Sequence, residues 1–399
     1  MTTLPDDALG DLFARIEEAA AGVAAAYPGD HGGRQPVSTL YVPADRCTAT
    51  TAPEYGAEAL RLLDAHAPDP ADLEAIGVPA ELAATVRERV AAKLAAEPVE
   101  DLRIDFEDGY GARPDAEEDS DAARAAGAVA TALADGALPP FVGLRVKSFA
   151  DGLHRRSART LDVFLTALLE ATGGTLPPGF VVTFPKIVAT AHVGAFAELL
   201  GRLEAALGLV AGTLRFEAQV ETTQSIVAAD GRLALRGMVA AAGGRLSGAH
   251  FGTYDYTAAC GLLAAQQRLT HPACDFARHV MQTALAGTGV RLADGSTNAV
   301  PEADTAPATR AAWTVHARHV THSLRHGFYQ GWDLHPAHLP SRYAAVYAFL
   351  LADLDAVRAR LAGTTAGVLD EPATLRQLRA HLTRAVDCGA IDPAEDAAR

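Results

Sequence analysis

The chain has 399 residues, a formal net charge of −15, 49% hydrophobic and 21% charged residues. That balance is ordinary for a globular protein, and the length suits one large α/β barrel or two average domains. The acidic excess argues against non-specific binding to nucleic acid or to an anionic membrane, both of which need a basic face.

Residues 5–27 have the spacing of an amphipathic helix, and a Gly- and Pro-containing link follows from Pro28 to Pro36. Residues 38–42 read as a short strand closed by Pro43, with helical patterns over about 53–66 and 80–96. A second strand, 102–106, breaks at the glycines of Glu107-Asp108-Gly109-Tyr110-Gly111. An acidic, alanine-rich helix at about 115–135 leads to strand 141–146 and a helix at about 156–172. Strand 179–184 is ended by Pro185, and its helix covers about 190–207. The fifth strand runs through Phe216-Glu217-Ala218-Gln219-Val220-Glu221, with a helix from about 222. Strand 246–251 precedes a helix from about 257 and another at 275–287. A short strand at 290–292, a helix at about 305–326, a possible eighth strand at 327–332 and helices at about 337–362 and 373–387 complete the pattern.

Eight strand–helix units in this length predict a (β/α)8 TIM barrel. No Gly-x-Gly-x-x-Gly follows the first strand, which disfavours a doubly wound sheet. The expected division is an N-terminal helical lead over 1–36, a barrel catalytic domain over 37–362 and a C-terminal helical extension or lid over 363–399. The four cysteines are far apart and show no C-x-x-C pairing, so a reducing cytoplasm is expected rather than a disulfide framework. No apolar run approaches a membrane span, and the first 18 residues lack a signal-peptide pattern.

Barrel enzymes place their sites at the C-terminal ends of the strands, so the polar residues there are the candidates. They are Asp105, Glu107 and Asp108, then Arg145 and Lys147, Lys186, Glu221, His250 with Asp255, and finally Asp333 with His335. Glu217, Gln219 and Glu221 alternate with apolar residues and share one strand face. Two hard oxygen ligands from adjacent strands, Glu221 and Asp255, suit Mg²⁺ or Mn²⁺. Arg145 offers a planar fork for a substrate carboxylate. The chain has only three lysines; Lys147 and Lys186 follow apolar strands, whereas Lys93 sits in a polar helix and reads as solvated. A Schiff base at Lys186 is disfavoured because nearby carboxylates would keep it charged. His250 on an apolar strand is either a satisfied core histidine or a substrate contact. His316, His319, His322 and His326 share a helical pattern, but no Glu or Cys completes a zinc set, and a partly exposed face or subunit contact is expected.

Leu40-Tyr41-Val42-Pro43, Ile104-Asp105-Phe106-Glu107-Asp108, Leu144-Arg145-Val146, Phe184-Pro185-Lys186-Ile187, Val220-Glu221-Thr222, Phe251-Gly252-Thr253-Tyr254-Asp255 and Gly331-Trp332-Asp333-Leu334-His335-Pro336 occur in this order. Together they resemble the citrate lyase β-subunit-like branch of the aldolase/citrate lyase family, among the phosphoenolpyruvate/pyruvate-type barrels. The acidic second-strand end is also similar to that of malate synthase. The resemblance implies that Glu221 and Asp255 bind the metal and that Arg145 holds the substrate carboxylate or oxyanion. Glu107 and Asp108 would order metal-bound waters, with Lys186 an electrostatic partner. Such families carry an arginine just before the first strand, where this chain has Val37-Ser38; Arg34 or Arg46 could substitute in substrate binding. The general acid/base would come from a C-terminal lid, where Asp387 and Asp392 carry no specific signal.

The function expected is a metal-dependent carbon–carbon lyase or aldolase acting through an enolate. Its substrate would be a small 2-oxo or 3-hydroxy carboxylic acid, free or as a CoA thioester, and a homo-oligomer is expected. The alternatives are a malate synthase-like condensing enzyme and a non-catalytic metal-binding subunit.

Overall fold

A computed structural model describes residues 9–30, 32–363 and 371–393. Eight parallel strands close into a barrel in chain order: β1 (Ser38–Pro43), β2 (Asp101–Asp105), β3 (Phe141–Arg145), β4 (Phe180–Phe184), β5 (Phe216–Val220), β6 (Leu246–Phe251), β7 (Arg291–Asp294) and β8 (Gln330–Asp333). The ring closes where Ser38 of β1 pairs with Gly331 of β8. Outward-facing apolar residues such as Leu40, Ile104, Val182 and Phe216 are buried under the surrounding helices, which explains the nearly continuous apolar runs. The eight-strand barrel expected from the alternation is the fold observed.

Three predicted helices differ in detail. The one from about 222 is a single turn, Thr223–Ile226, followed by a separate helix, Ala234–Ala241. The one from about 257 starts earlier, at Thr253. The last long pattern divides into His338–Ala352 and Leu354–Leu361.

The barrel interior is ionic rather than aliphatic in its lower layer. Arg103 of β2 bonds Asp101, and its other terminal nitrogen reaches Glu217 of β5 at 2.9 Å. Glu217 also lies 3.0 Å from His250 Nε2. Burial would raise the Glu217 acid, but the Arg103 charge and the hydrogen bond from His250 Nε2 hold it well below the carboxylate range. Asp101, dominated by burial, is pushed up to about 6. At the closure, Asp333 accepts from Ser38 Oγ at 2.6 Å and Arg342 Nε at 2.9 Å, and lies 3.0 Å from His316 Nε2. A buried carboxylate with this many partners ties the first strand to the last.

Lys93 is not solvated as expected. It is buried at the opposite, N-terminal mouth, where Nζ donates to Glu97 at 2.5 Å and to Glu100 at 2.6 Å. Arg34 joins the same two acids, so it cannot serve a site at the C-terminal mouth. Lys147 points outward from the barrel and donates to Glu118 at 2.8 Å and to the Phe106 carbonyl at 2.7 Å. The helix Pro372–Asp387 of the C-terminal extension also lies at the N-terminal mouth. Its Arg384 covers Tyr329, and the Cys388 carbonyl accepts from Tyr347 at 2.7 Å. Within its own chain, this helix does not cover the strand ends where the candidate residues gather. Among the described residues, no helix is long and apolar enough to cross a membrane.

Candidate active site

A cavity of about 290 Å³ opens at the C-terminal mouth, with Arg145 and Asp105 on one wall and Glu221 and Asp255 on the other. Asp105 is the residue that organises the first wall. Its carboxylate accepts from Arg145 Nε at 2.7 Å and Nη2 at 2.6 Å. The same two oxygens accept the backbone N–H groups of Glu107 and Gly109 at 2.9 Å each, so the turn after β2 is wound around them. Such a two-point clamp fixes the guanidinium plane. The remaining terminal nitrogen, Nη1, lies 3.2 Å from Glu107, and the guanidinium sits 5.1 Å above the Tyr41 ring.

Lys186 links the two walls. Its Nζ donates to Glu107 at 2.5 Å and to Asp108 at 2.9 Å, and lies 3.0 Å from Asp255. Burial alone would lower its pKa, but Glu221, Glu107 and Asp108 outweigh it and hold the ammonium charged. Its backbone is unusual for a residue with a side chain, at φ 48. That left-handed conformation costs of the order of 1 kcal/mol. It directs the Lys186 N–H to Glu221 Oε1 at 2.7 Å.

Glu221 is buried, and burial pushes its acid up to about 8; Lys186 opposes this, while Glu107 and Asp255 add to it. Its second oxygen accepts from Gln219 at 3.2 Å. Gly252 allows β6 to approach: a Cβ there would lie 2.4 Å from the Glu221 Cβ. Burial likewise pushes Glu107 up to about 7, against the lowering effect of Arg145 and Lys186. Glu221 and Asp255 offer hard oxygen ligands, and a buried carboxylate whose charge Lys186 offsets only in part suits a divalent cation.

The remaining lining includes residues that carry no expected role of their own. The rings of Tyr41 of β1 and Trp332 of β8 are in contact, tilted by 35° with centroids 4.8 Å apart, on strands made neighbours only by barrel closure. Tyr254 and Ser296 also face the cavity. Adjacency of the first and last strands is the signal that would have found the aromatic pair.

Two expected substrate contacts are not in the cavity. His250 is buried inside the barrel, where Nδ1 accepts from Trp332 Nε1 at 2.7 Å and Nε2 faces Glu217. Both ring nitrogens are therefore used, and His250 can act only through Trp332. Arg46 is exposed in the turn Ala44–Arg46 after β1 and does not line the cavity. Arg145, Lys186, Glu107, Asp108, Glu221 and Asp255, by contrast, converge on one cluster.

Comparison with solved structures gives the same barrel in several enzymes. A citrate lyase from Burkholderia xenovorans LB400 superposes with a TM-score of 0.56 and 19% identity, covering 78% of this chain and 91% of its own. A malate synthase from Haloferax volcanii, native at 3 mM glyoxylate, gives 0.51 and 13% identity, covering 91% of this chain and 99% of its own. These likenesses are of fold. A comparison with curated sequences gives no match. The model of one family, described as a domain of unknown function (DUF6986), matches residues 16–399, and the chain belongs to that family.

Proposed function

We propose that the protein is a divalent-metal-dependent carbon–carbon lyase or condensing enzyme that acts through the enolate of a small carboxylic acid. The substrate class is a 2-oxo or 3-hydroxy acid, free or as its CoA thioester. The observation that carries this reading is the clamped Arg145 facing Glu221 and Asp255 across one cavity. Glu221 and Asp255 would hold Mg²⁺ or Mn²⁺, which, when bound, would supply a Lewis acid for the developing oxyanion.

The chain's own residues supply the rest. Arg145, fixed by Asp105, orients a carboxylate or oxyanion through Nη1. Glu107 and Asp108 hold Lys186 across the cavity edge, so its ammonium adds positive potential without serving as a nucleophile. Tyr41 and Trp332, their rings inclined at 35°, give an aromatic wall that would exclude water from one side of a small substrate.

The test is a thermal-shift screen of Mg²⁺ and Mn²⁺ with oxalate, pyruvate, oxaloacetate, glyoxylate and acetyl-CoA. Stabilisation that requires metal and a 2-oxo acid together, and is lost in Glu221→Gln/Asp255→Asn, supports the reading. Absence of any metal-linked shift in the unmutated protein refutes it.

A further inference from the structure

A second cluster of ligand-type side chains lies away from the cavity, between the helices Pro272–Leu285 and Ala306–Arg325. Here Asp275, His322 and His326 bring one ligand atom each within 4.8 Å of one another. Asp275 stands in the first turn of its helix, and His322 and His326 end theirs. His279 follows Asp275 by one turn, and its ring centroid is 5.6 Å from that of His326. His322 and His326, at i and i+4, share the helix face that meets Asp275. The helices are joined here by side chains, as Gln282 donates to the His326 carbonyl.

The hydrogen bonds favour a ligand set over a simple ion pair. His326 Nδ1 donates to the His322 carbonyl at 2.9 Å, which leaves Nε2 as a lone pair 3.7 Å from Asp275. A metal-binding histidine is usually oriented by such a bond from its other nitrogen. His322 Nε2 lies 2.8 Å from Asp275, and the His322 and His326 rings are 4.4 Å apart. An Asp275–His322 pair alone would leave His326 unexplained. Arg278 also donates to Asp275 at 2.6 Å, but it keeps Asp294 at 2.7 Å and the Leu269 carbonyl at 2.6 Å if Asp275 turns away. The other histidine–aspartate group, His316–Asp333–His338, is closed instead. Arg342 and Ser38 occupy Asp333, and the histidine nitrogens are bonded to Ser341, the Ala299 carbonyl and the Leu334 N–H.

We propose that Asp275, His322 and His326 bind one first-row transition cation of the Zn²⁺ class. Imidazole donors select such an ion over Mg²⁺, so this site is chemically distinct from the Glu221–Asp255 pair. The ion would clamp the helix before β7 to the helix before β8.

The test uses the untagged full-length chain, stripped by chelator and carrying Glu221→Gln/Asp255→Asn so that the cavity does not contribute. Co²⁺ is titrated and its visible absorption followed, then displaced with Zn²⁺. One equivalent per chain, displaced by Zn²⁺ but not by excess Mg²⁺, and abolished by His322→Ala/His326→Ala, is the expected result. No uptake, or uptake undiminished by that double change, overturns the proposal. If the double variant does not fold, His326→Gln is read instead: at least ten-fold weaker Co²⁺ binding supports the site, and unchanged binding overturns it.

Discussion

Replacing Glu221 by glutamine in the metal-free protein should stabilise it in alkali and do little in acid. Glu221 has an ordinary acid constant of 4.5 when exposed, raised to about 8 in the fold. Between those values the folded chain binds a proton that the unfolded chain has released, so stability falls as pH rises through this window. Each pKa unit is worth about 1.4 kcal/mol, which sets a ceiling of roughly 5 kcal/mol lost by pH 9. Glutamine carries no such proton, so the variant escapes the loss. Its amide can also be accommodated: its oxygen keeps the Lys186 N–H, and the buried Gln219 Oε1, which has no partner, can accept from the new NH₂ if the Gln219 amide turns over. The assay is urea unfolding of both proteins at pH 5, 7 and 9 in the presence of chelator. The difference should be near zero at pH 5, already favour the variant clearly at pH 7 and level off above pH 8. Added Mg²⁺ should stabilise only the unmutated protein. A difference independent of pH would refute the reasoning.

Arg145→Lys keeps the charge but loses the two-point hold on Asp105, so kcat/KM on an acid identified by the ligand screen should fall roughly 100-fold or more. Activity within ten-fold would remove Arg145 from the reaction. Trp332→Phe takes the donor from the buried His250 Nδ1 and should cost about 1–3 kcal/mol in urea unfolding; an unchanged midpoint would show that the bond contributes nothing. Gly252→Ala places a methyl 2.4 Å from the Glu221 Cβ, so the Mg²⁺-linked thermal shift should disappear; a retained shift would separate Glu221 from metal binding. Lys93→Met strips the buried Glu100 of one cation, and a loss of about 3 kcal/mol is expected on equilibrium unfolding; no loss would mean that Arg34 alone suffices.

The barrel was legible because eight apolar strand runs alternate with helical patterns, two of them closed by Pro43 and Pro185, and β6 begins and ends where its pattern does. The convergence of Arg145, Lys186, Glu221 and Asp255 follows from a topological rule, since all stand at or just beyond C-terminal strand ends. What could not be read was depth along the barrel axis. Glu217 and Glu221 share a face of β5, yet one is neutralised by Arg103 and His250 while the other faces the cavity. Period-two patterning gives the face but not the layer. The same limit left His250 open between a core histidine and a substrate contact. Lys93 was misread because its partners, Glu97 and Glu100, are recognisable only once the helix turns back to β2. The histidine pair His322/His326 lacked an acid in its own helix, and Asp275 comes from 47 positions away.

The charged interior has a consequence for how the barrel comes together. Cut between β4 and β5, the first half would carry Arg103 and Lys186, and the second would carry Glu217, Glu221 and Asp255. Glu217 would lose Arg103 and Asp255 would lose Lys186 in an open half, so the two are complementary as a plug and socket are. An aliphatic interior would tolerate a slipped or half-closed ring; this one penalises it. Mixed fragments 1–210 and 211–399 should therefore associate in low salt, and Arg103→Met should weaken that association more than it weakens the helical content of either piece.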